Sequence, residues 1–155
     1  MFDELRDLYQ DVILDHGRKP RNFRRLENAS HTARGDNPLC GDRMELWLAM
    51  AGDGTIADAA FQGRGCAISM ASASLMTETV RGKSPGQAKA LGAHFRELAM
   101  TGVCPVCDAS MEDDMERLSP LSGVHEFPSR VKCATLAWHT LNNALDDQGK
   151  EASSE

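Results

Sequence analysis

The stretch RMELWLAMAGDGTIADAAFQGRGCAIS (residues 43–69) holds two runs of strand-like composition joined by a glycine-containing link, and it runs on into a lone cysteine after Gly-Arg-Gly. Residues 43–50 and 56–65 predict two strands, and the Asp-Gly within AGDGT (51–55) predicts the tight turn of an antiparallel hairpin. A shorter strand-like segment at 32–35 adds a third member, so the expectation is a small antiparallel meander. From Ala67 the composition changes to Ala, Ser, Met and Leu, with Ile68, Ala71, Leu75 and Met76 at helical spacing until Gly82 and Pro85 interrupt it.

Helical patterns surround this sheet. Phe2, Leu5, Leu8, Tyr9, Val12 and Ile13 predict an amphipathic opening helix that ends near residues 15–17, and a further helix is expected over about 85–100. The last helix should be capped by Ser129, its apolar stripe formed by Val131, Ala134, Trp138, Leu141 and Leu145. The fold class is therefore α+β, a three-stranded antiparallel sheet packed against a helical layer. Trp47, Trp138 and the methionines read as core. Segment 101–128 carries Gly, Pro and Ser breakers and five acids between Asp108 and Glu116, which predicts an inserted loop with one short helix and a solvated acidic face at 112–116. The expected organisation is one domain over 1–146 and a disordered tail over 147–155.

Composition narrows the function classes. The 155 residues are 41% hydrophobic, enough for one well-buried core, and the formal net charge of −6 disfavours non-specific nucleic-acid binding. The N-terminus MFDELRDLYQ lacks the basic start and apolar core of a signal peptide, and no apolar run approaches the ~20 residues that span a bilayer, so no membrane role and a cytoplasmic location are expected. Between residues 18 and 34 six Lys/Arg face one acid, Glu27, a stretch that suits either a solvated loop or docking onto an acidic partner.

Five cysteines in a reducing compartment point to metal or sulfur chemistry rather than to a disulfide framework. Cys104 and Cys107 form CPVC, but a zinc ribbon needs a second pair, His94 and His125 are remote in sequence, and a thioredoxin-like motif needs a βαβ setting. The three lone cysteines have more unusual surroundings. Cys40 precedes Gly41 and lies two residues before Asp42, so a thiolate and a carboxylate can face one metal ion. Cys66 sits where a strand meets a helix, with flexible glycines before it and the positive end of the helix dipole beside it. Cys133 is expected in the first turn of the last helix, with Arg130 and Lys132 adding positive charge.

VILDHGRKPRN (12–22), GDNPLCGD (35–42), GRGCAISMASASLMTETVRGK (63–83) and FPSRVKCATLAWHTL (127–141) together resemble the U-type iron-sulfur cluster assembly proteins, the IscU, SufU and NifU N-terminal family, over about residues 1–145. Lys132 directly before the third cysteine, FPSR in place of a Leu-Pro-Pro-Val-Lys motif, and a separation of 67 positions from Cys66 to Cys133 resemble the SufU branch. Arg64 stands where an acidic residue is common in that family. The resemblance implies an IscU/SufU-like fold, a ligand set of Cys40, Asp42, Cys66 and Cys133 for Zn2+ or an iron-sulfur cluster ([2Fe-2S] or [4Fe-4S]), and sulfur acceptance on Cys40. It implies as partners a SufS-type cysteine desulfurase and apo iron-sulfur acceptor proteins. His16 matches a family position near the docking surface and equally suits a helix-end histidine completing its own cap.

Three functions stay open on the sequence: a sulfur carrier with resident zinc, a scaffold that builds and transfers a cluster, and a zinc-stabilised interaction domain without sulfur chemistry. None is a stand-alone enzyme.

Overall fold

The computed structural model describes residues 2–37, 41–103, 111–146 and 151–153. Helix α1 (Phe2–Arg18) leads into strands β1 (His31–Asn37), β2 (Asp42–Met50) and β3 (Ile56–Arg64), followed by helices α2 (Ala67–Val80) and α3 (Pro85–Thr101). Helix α4 (Glu112–Leu118), a 3-10 helix (Ser119–Glu126), helix α5 (Pro128–Leu145) and a short β4 (Glu151–Ser153) complete the described chain. The sheet order is β3-β2-β1-β4.

The hairpin is the frame. β2 and β3 pair antiparallel, with Leu46 opposite Phe61 and Leu48 opposite Ala59, all four fully buried. The turn forms where Asp-Gly predicts it: Gly54 takes φ +89, and Asp53 Oδ1 accepts hydrogen bonds from the Thr55 N–H (3.0 Å) and hydroxyl (2.7 Å). β1 pairs antiparallel with β2, placing Ala33, Gly35 and Asn37 on the face that carries Met44, Leu46 and Leu48. Gly35 is needed there, because a Cβ would collide with Thr140 Oγ1 on α5.

Helix α2 lies at the centre of the helical layer, touching α1, α5 and β3. Its buried face is rich in hydroxyls, and each is satisfied internally: Thr77 donates to the Ser74 carbonyl (2.7 Å), Thr79 to the Leu75 carbonyl (2.6 Å) and Ser72 to the Ala134 carbonyl. Small side chains there let neighbouring helices come close. Gly17 at the end of α1 rests on Ala67, where a Cβ would lie 3.3 Å from it. His16 is buried and its Nδ1 lies 2.7 Å from Ser74 Oγ, so it ties α1 to α2 rather than capping its own helix.

Four local expectations are corrected. Segment 101–128 is largely helical in its described part, and Met115, Leu118, Leu121 and Val124 enter the main core. Its acidic run is not uniformly solvated, since Asp114 pairs with Lys83 at 2.9 Å with both side chains largely covered. Ser129 does not cap α5: the helix starts at Pro128 after Phe127, without a side-chain cap, because proline's fixed φ already suits the first helical position. The predicted disordered tail contributes Glu151–Ser153, which pairs parallel with Arg34–Asp36 and adds a fourth strand to the expected three. No helix among the described residues is long and apolar enough to cross a membrane.

Candidate metal centre

Three elements end at one place. β2 begins with Asp42, β3 runs through Arg64 into Cys66 at the N-cap of α2, and α5 brings Cys133 across from the helical side. One carboxylate oxygen and the two sulfurs all lie within 4.8 Å of one another. Asp42 and Cys133 are each 1% exposed and Cys66 is half-buried, so the group opens to solvent on the Cys66 side.

The carboxylate is held by the backbone it serves. Asp42 Oδ1 accepts the Cys66 N–H at 3.0 Å, and Oδ2 lies 3.9 Å from Cys66 Sγ. That N–H belongs to the first turn of α2, where amide groups have no helical partner and carry partial positive charge. Gly65 makes the approach possible. A Cβ at this position would collide with Asp42 Oδ1 and Ser69 Oγ and sit 2.9 Å from Asp42 Cγ.

Cys133 falls in the second turn of α5, not the first, because the helix begins at Pro128. Its sulfur lies 3.7 Å from the Ser129 carbonyl and receives a donor from Asn37 Nδ2 at 3.9 Å. The Arg130 guanidinium, one turn earlier, holds its proton more tightly than usual, first through the charge of Cys66 and then through hydrogen bonding to Cys133. Arg130 thus places a permanent cation beside both sulfurs.

Of the residues predicted from sequence, the structure brings together Asp42, Cys66 and Cys133. Cys40 lies outside the described residues, as do Cys104 and Cys107. Asn37 is a site residue that sequence reading passed over, and Gly65, noted there only as one of the flexible glycines before Cys66, proves to be the gap that admits Asp42. For Asn37 the signal was available: alternation from Ala33 and Gly35 puts it on the core side of β1, opposite Asp42, where an amide calls for a partner.

The donor set fits zinc. Tetrahedral zinc with thiolate and carboxylate ligands at ~2.0–2.3 Å keeps its donors roughly 3.4–3.8 Å apart, so a group within 4.8 Å closes by small side-chain rotations. The same thiolates also suit an iron-sulfur cluster.

Comparison with known proteins follows the same line. The family model described as NifU-like N terminal domain matches residues 8–153. The chain is 41% identical to the zinc-dependent sulfurtransferase SufU of Bacillus subtilis (strain 168), over 89% of this chain and 89% of that protein. It is 37% identical to the iron-sulfur cluster assembly scaffold protein IscU of Streptococcus pyogenes serotype M1, over 92% and 85%. Among solved structures, one described as an iron-sulfur cluster assembly scaffold protein for the SUF system, from Fervidobacterium islandicum AW-1, superposes with a TM-score of 0.77 at 32% identity, covering 87% of this chain and 94% of that one.

Proposed function

Because the chain belongs to the NifU-like N-terminal domain family, we propose that it accepts persulfide sulfur from a SufS-type cysteine desulfurase for iron-sulfur cluster biogenesis, with Asp42, Cys66 and Cys133 as ligands of a resident zinc ion and Cys40 as both fourth ligand and sulfur acceptor. The observation that carries this reading is the convergence of one carboxylate and two sulfurs from three separate elements within 4.8 Å. The name of the B. subtilis relative supports zinc and sulfur transfer together. When bound, zinc keeps its thiolate ligands deprotonated and fixes their directions.

The chain's own residues supply the rest. The Cys40 thiolate attacks the outer sulfur of the partner's persulfide. A new S–S bond forms on Cys40, the partner's S–S bond breaks, and its thiolate leaves with the electron pair, so the exchange is redox-neutral. Cys40 precedes Gly41, whose φ of +72 permits a sharp change of direction just before Asp42. Asp42, fixed by the Cys66 N–H, stays in place while Cys40 reacts. Arg130 offsets the negative charge that gathers on the sulfurs.

The test is the metal content and visible spectrum of anaerobically purified protein, followed by desulfurase assays with and without it. Stoichiometric zinc and strong desulfurase stimulation, both reduced by Asp42→Ala and with sulfur acceptance abolished by Cys40→Ala, are expected. A brown cluster transferable to an apo-acceptor would establish the scaffold function instead. Normal sulfur acceptance by Cys40→Ala would remove that cysteine from its role.

A further inference from the structure

The outer face of the sheet, turned away from the helices, divides into two halves. Near the 51–55 turn it is apolar and covered: Trp47 and Ala60 are buried under Leu26 of the segment that wraps back across the sheet. The other half is charged and, among the described residues, uncovered. Register aligns Arg34 with Glu45 and Gln62, then Asp36 with Arg43 and Arg64, and these rows line a concave groove of about 440 Å³.

The groove carries a surplus of guanidinium. Among the described lining residues two carboxylates are matched by two arginines, Glu45 with Arg34 at 3.8 Å and Asp36 with Arg43 at 3.5 Å, while Arg64 has no ion pair among the described residues. The two pairs are long and the side chains of Arg34 and Arg43 are 70% and 68% exposed, so both guanidiniums remain open to a second carboxylate. This surplus runs against the chain as a whole, whose formal charge is −6. Arginine is also the cation whose planar fork binds a carboxylate in two bonds.

Position gives the groove a purpose. Arg43 follows the ligand Asp42, and Arg64 precedes the ligand Cys66 by two residues. Asp42 and Arg43 are neighbours on β2 and face opposite ways, and Arg64 pairs with Arg43 across the hairpin, so the groove and the metal centre lie back to back at one end of the sheet. A protein large enough to reach the metal centre meets the groove at the same edge. Nucleic acid is a poor occupant, because three arginines are too few to offset the net negative charge of the chain toward a long polyanion.

We propose that the groove lined by Arg34, Arg43 and Arg64 is a docking surface for an acidic segment of the cysteine desulfurase that delivers sulfur to Cys40. This surface rests on the function proposed above. Its contribution is to encounter and orientation: charges at the edge of an interface chiefly set the association rate and its dependence on salt. Arg34 and Arg64 are outside the proposed ligand set, and neither forms a hydrogen bond or ion pair with Cys66 among the described residues, so the groove can be altered without replacing a ligand.

The experiment measures binding of the zinc-loaded full chain to a SufS-type desulfurase at low and high salt, for the wild type and for Arg34→Glu, Arg64→Glu and Glu45→Gln. Each charge reversal should weaken binding about tenfold at low salt, mainly through slower association, and flatten the salt dependence. Glu45→Gln should tighten binding about twofold by removing a repelling carboxylate. Zinc content should be the same in all four proteins. Wild-type binding that both reversals retain within about twofold would overturn the groove and leave the sulfur-transfer function standing. A wild-type chain that neither binds nor stimulates the desulfurase would overturn both.

Discussion

Replacing Gly65 by alanine tests the site's construction most directly, because the change adds one methyl group and no charge. The new Cβ would lie 2.9 Å from Asp42 Cγ and closer still to Oδ1 and Ser69 Oγ. Ordinary carbon contacts begin near ~3.5 Å, so the carboxylate must retreat by roughly 0.6 Å or more. A retreat along the hydrogen bond to Cys66 N–H, now 3.0 Å, would carry it past the usable range. Losing a hydrogen bond to a charged acceptor costs about 1.5–3 kcal/mol, and 1.4 kcal/mol is a factor of ten. Zinc affinity should therefore fall by roughly 10–100-fold, the range usual when a ligand's supporting contact is lost. Competition against a chromophoric chelator reads the affinity, and a thermal melt of each protein reports whether the fold survives. Gly86→Ala, where a Cβ meets open space, is the control and should bind as the wild type does. Zinc held by Gly65→Ala within about twofold of the wild type would refute the view that Asp42 is fixed through Cys66 N–H.

Other consequences are open to measurement. His16 is depressed first by burial and then by Arg21, against the opposing charges of Glu78 and Asp15, and His139 is depressed by burial and Arg96. Each therefore binds its proton more readily in the unfolded chain, so stability should be lost as pH falls below the ordinary histidine value of 6.5, and His16→Gln should flatten the decline seen in urea titrations between pH 7.5 and 5. Lys83→Met strands the largely covered Asp114 carboxylate and should destabilise by about 1–3 kcal/mol in urea, whereas adding Asp114→Leu to it should restore most of the loss. Cys104→Ser combined with Cys107→Ser should leave sulfur acceptance intact in the desulfurase assay; a loss would give CPVC a part in the transfer.

The hairpin and the main helices were legible because their signals are local: strand-like composition in 43–50, Asp-Gly at the turn, and helical spacing of the apolar residues in α1, α2 and α5. The segment before α5 misled because its apolar residues do not follow the α period. Met115, Leu118, Leu121 and Val124 fall every three residues, a spacing that suits the tighter turn of the 3-10 helix into which they lead, while Pro120 and Gly123 read as breakers. β4 left no trace in sequence, since a three-residue parallel pairing draws on backbone groups rather than on side-chain pattern. At the metal centre the reactive residue types stood out, and their convergence came from resemblance. Alternation along β1 puts Asn37 on the core side, but its contact with Cys133 and the room that Gly65 leaves for Asp42 depend on distances across the chain that no linear spacing encodes.

The sheet's flanks also bear on how this chain avoids unwanted company. β4 covers the outer side of β1, and Asn22 and Arg24 bond the Phe61 backbone on the far side of β3. Strand edges left bare invite a stranger's strand to join, the first step toward aggregates. With both margins at least partly occupied from within, visitors are turned away from the edges, and recognition is left to side chains on the face.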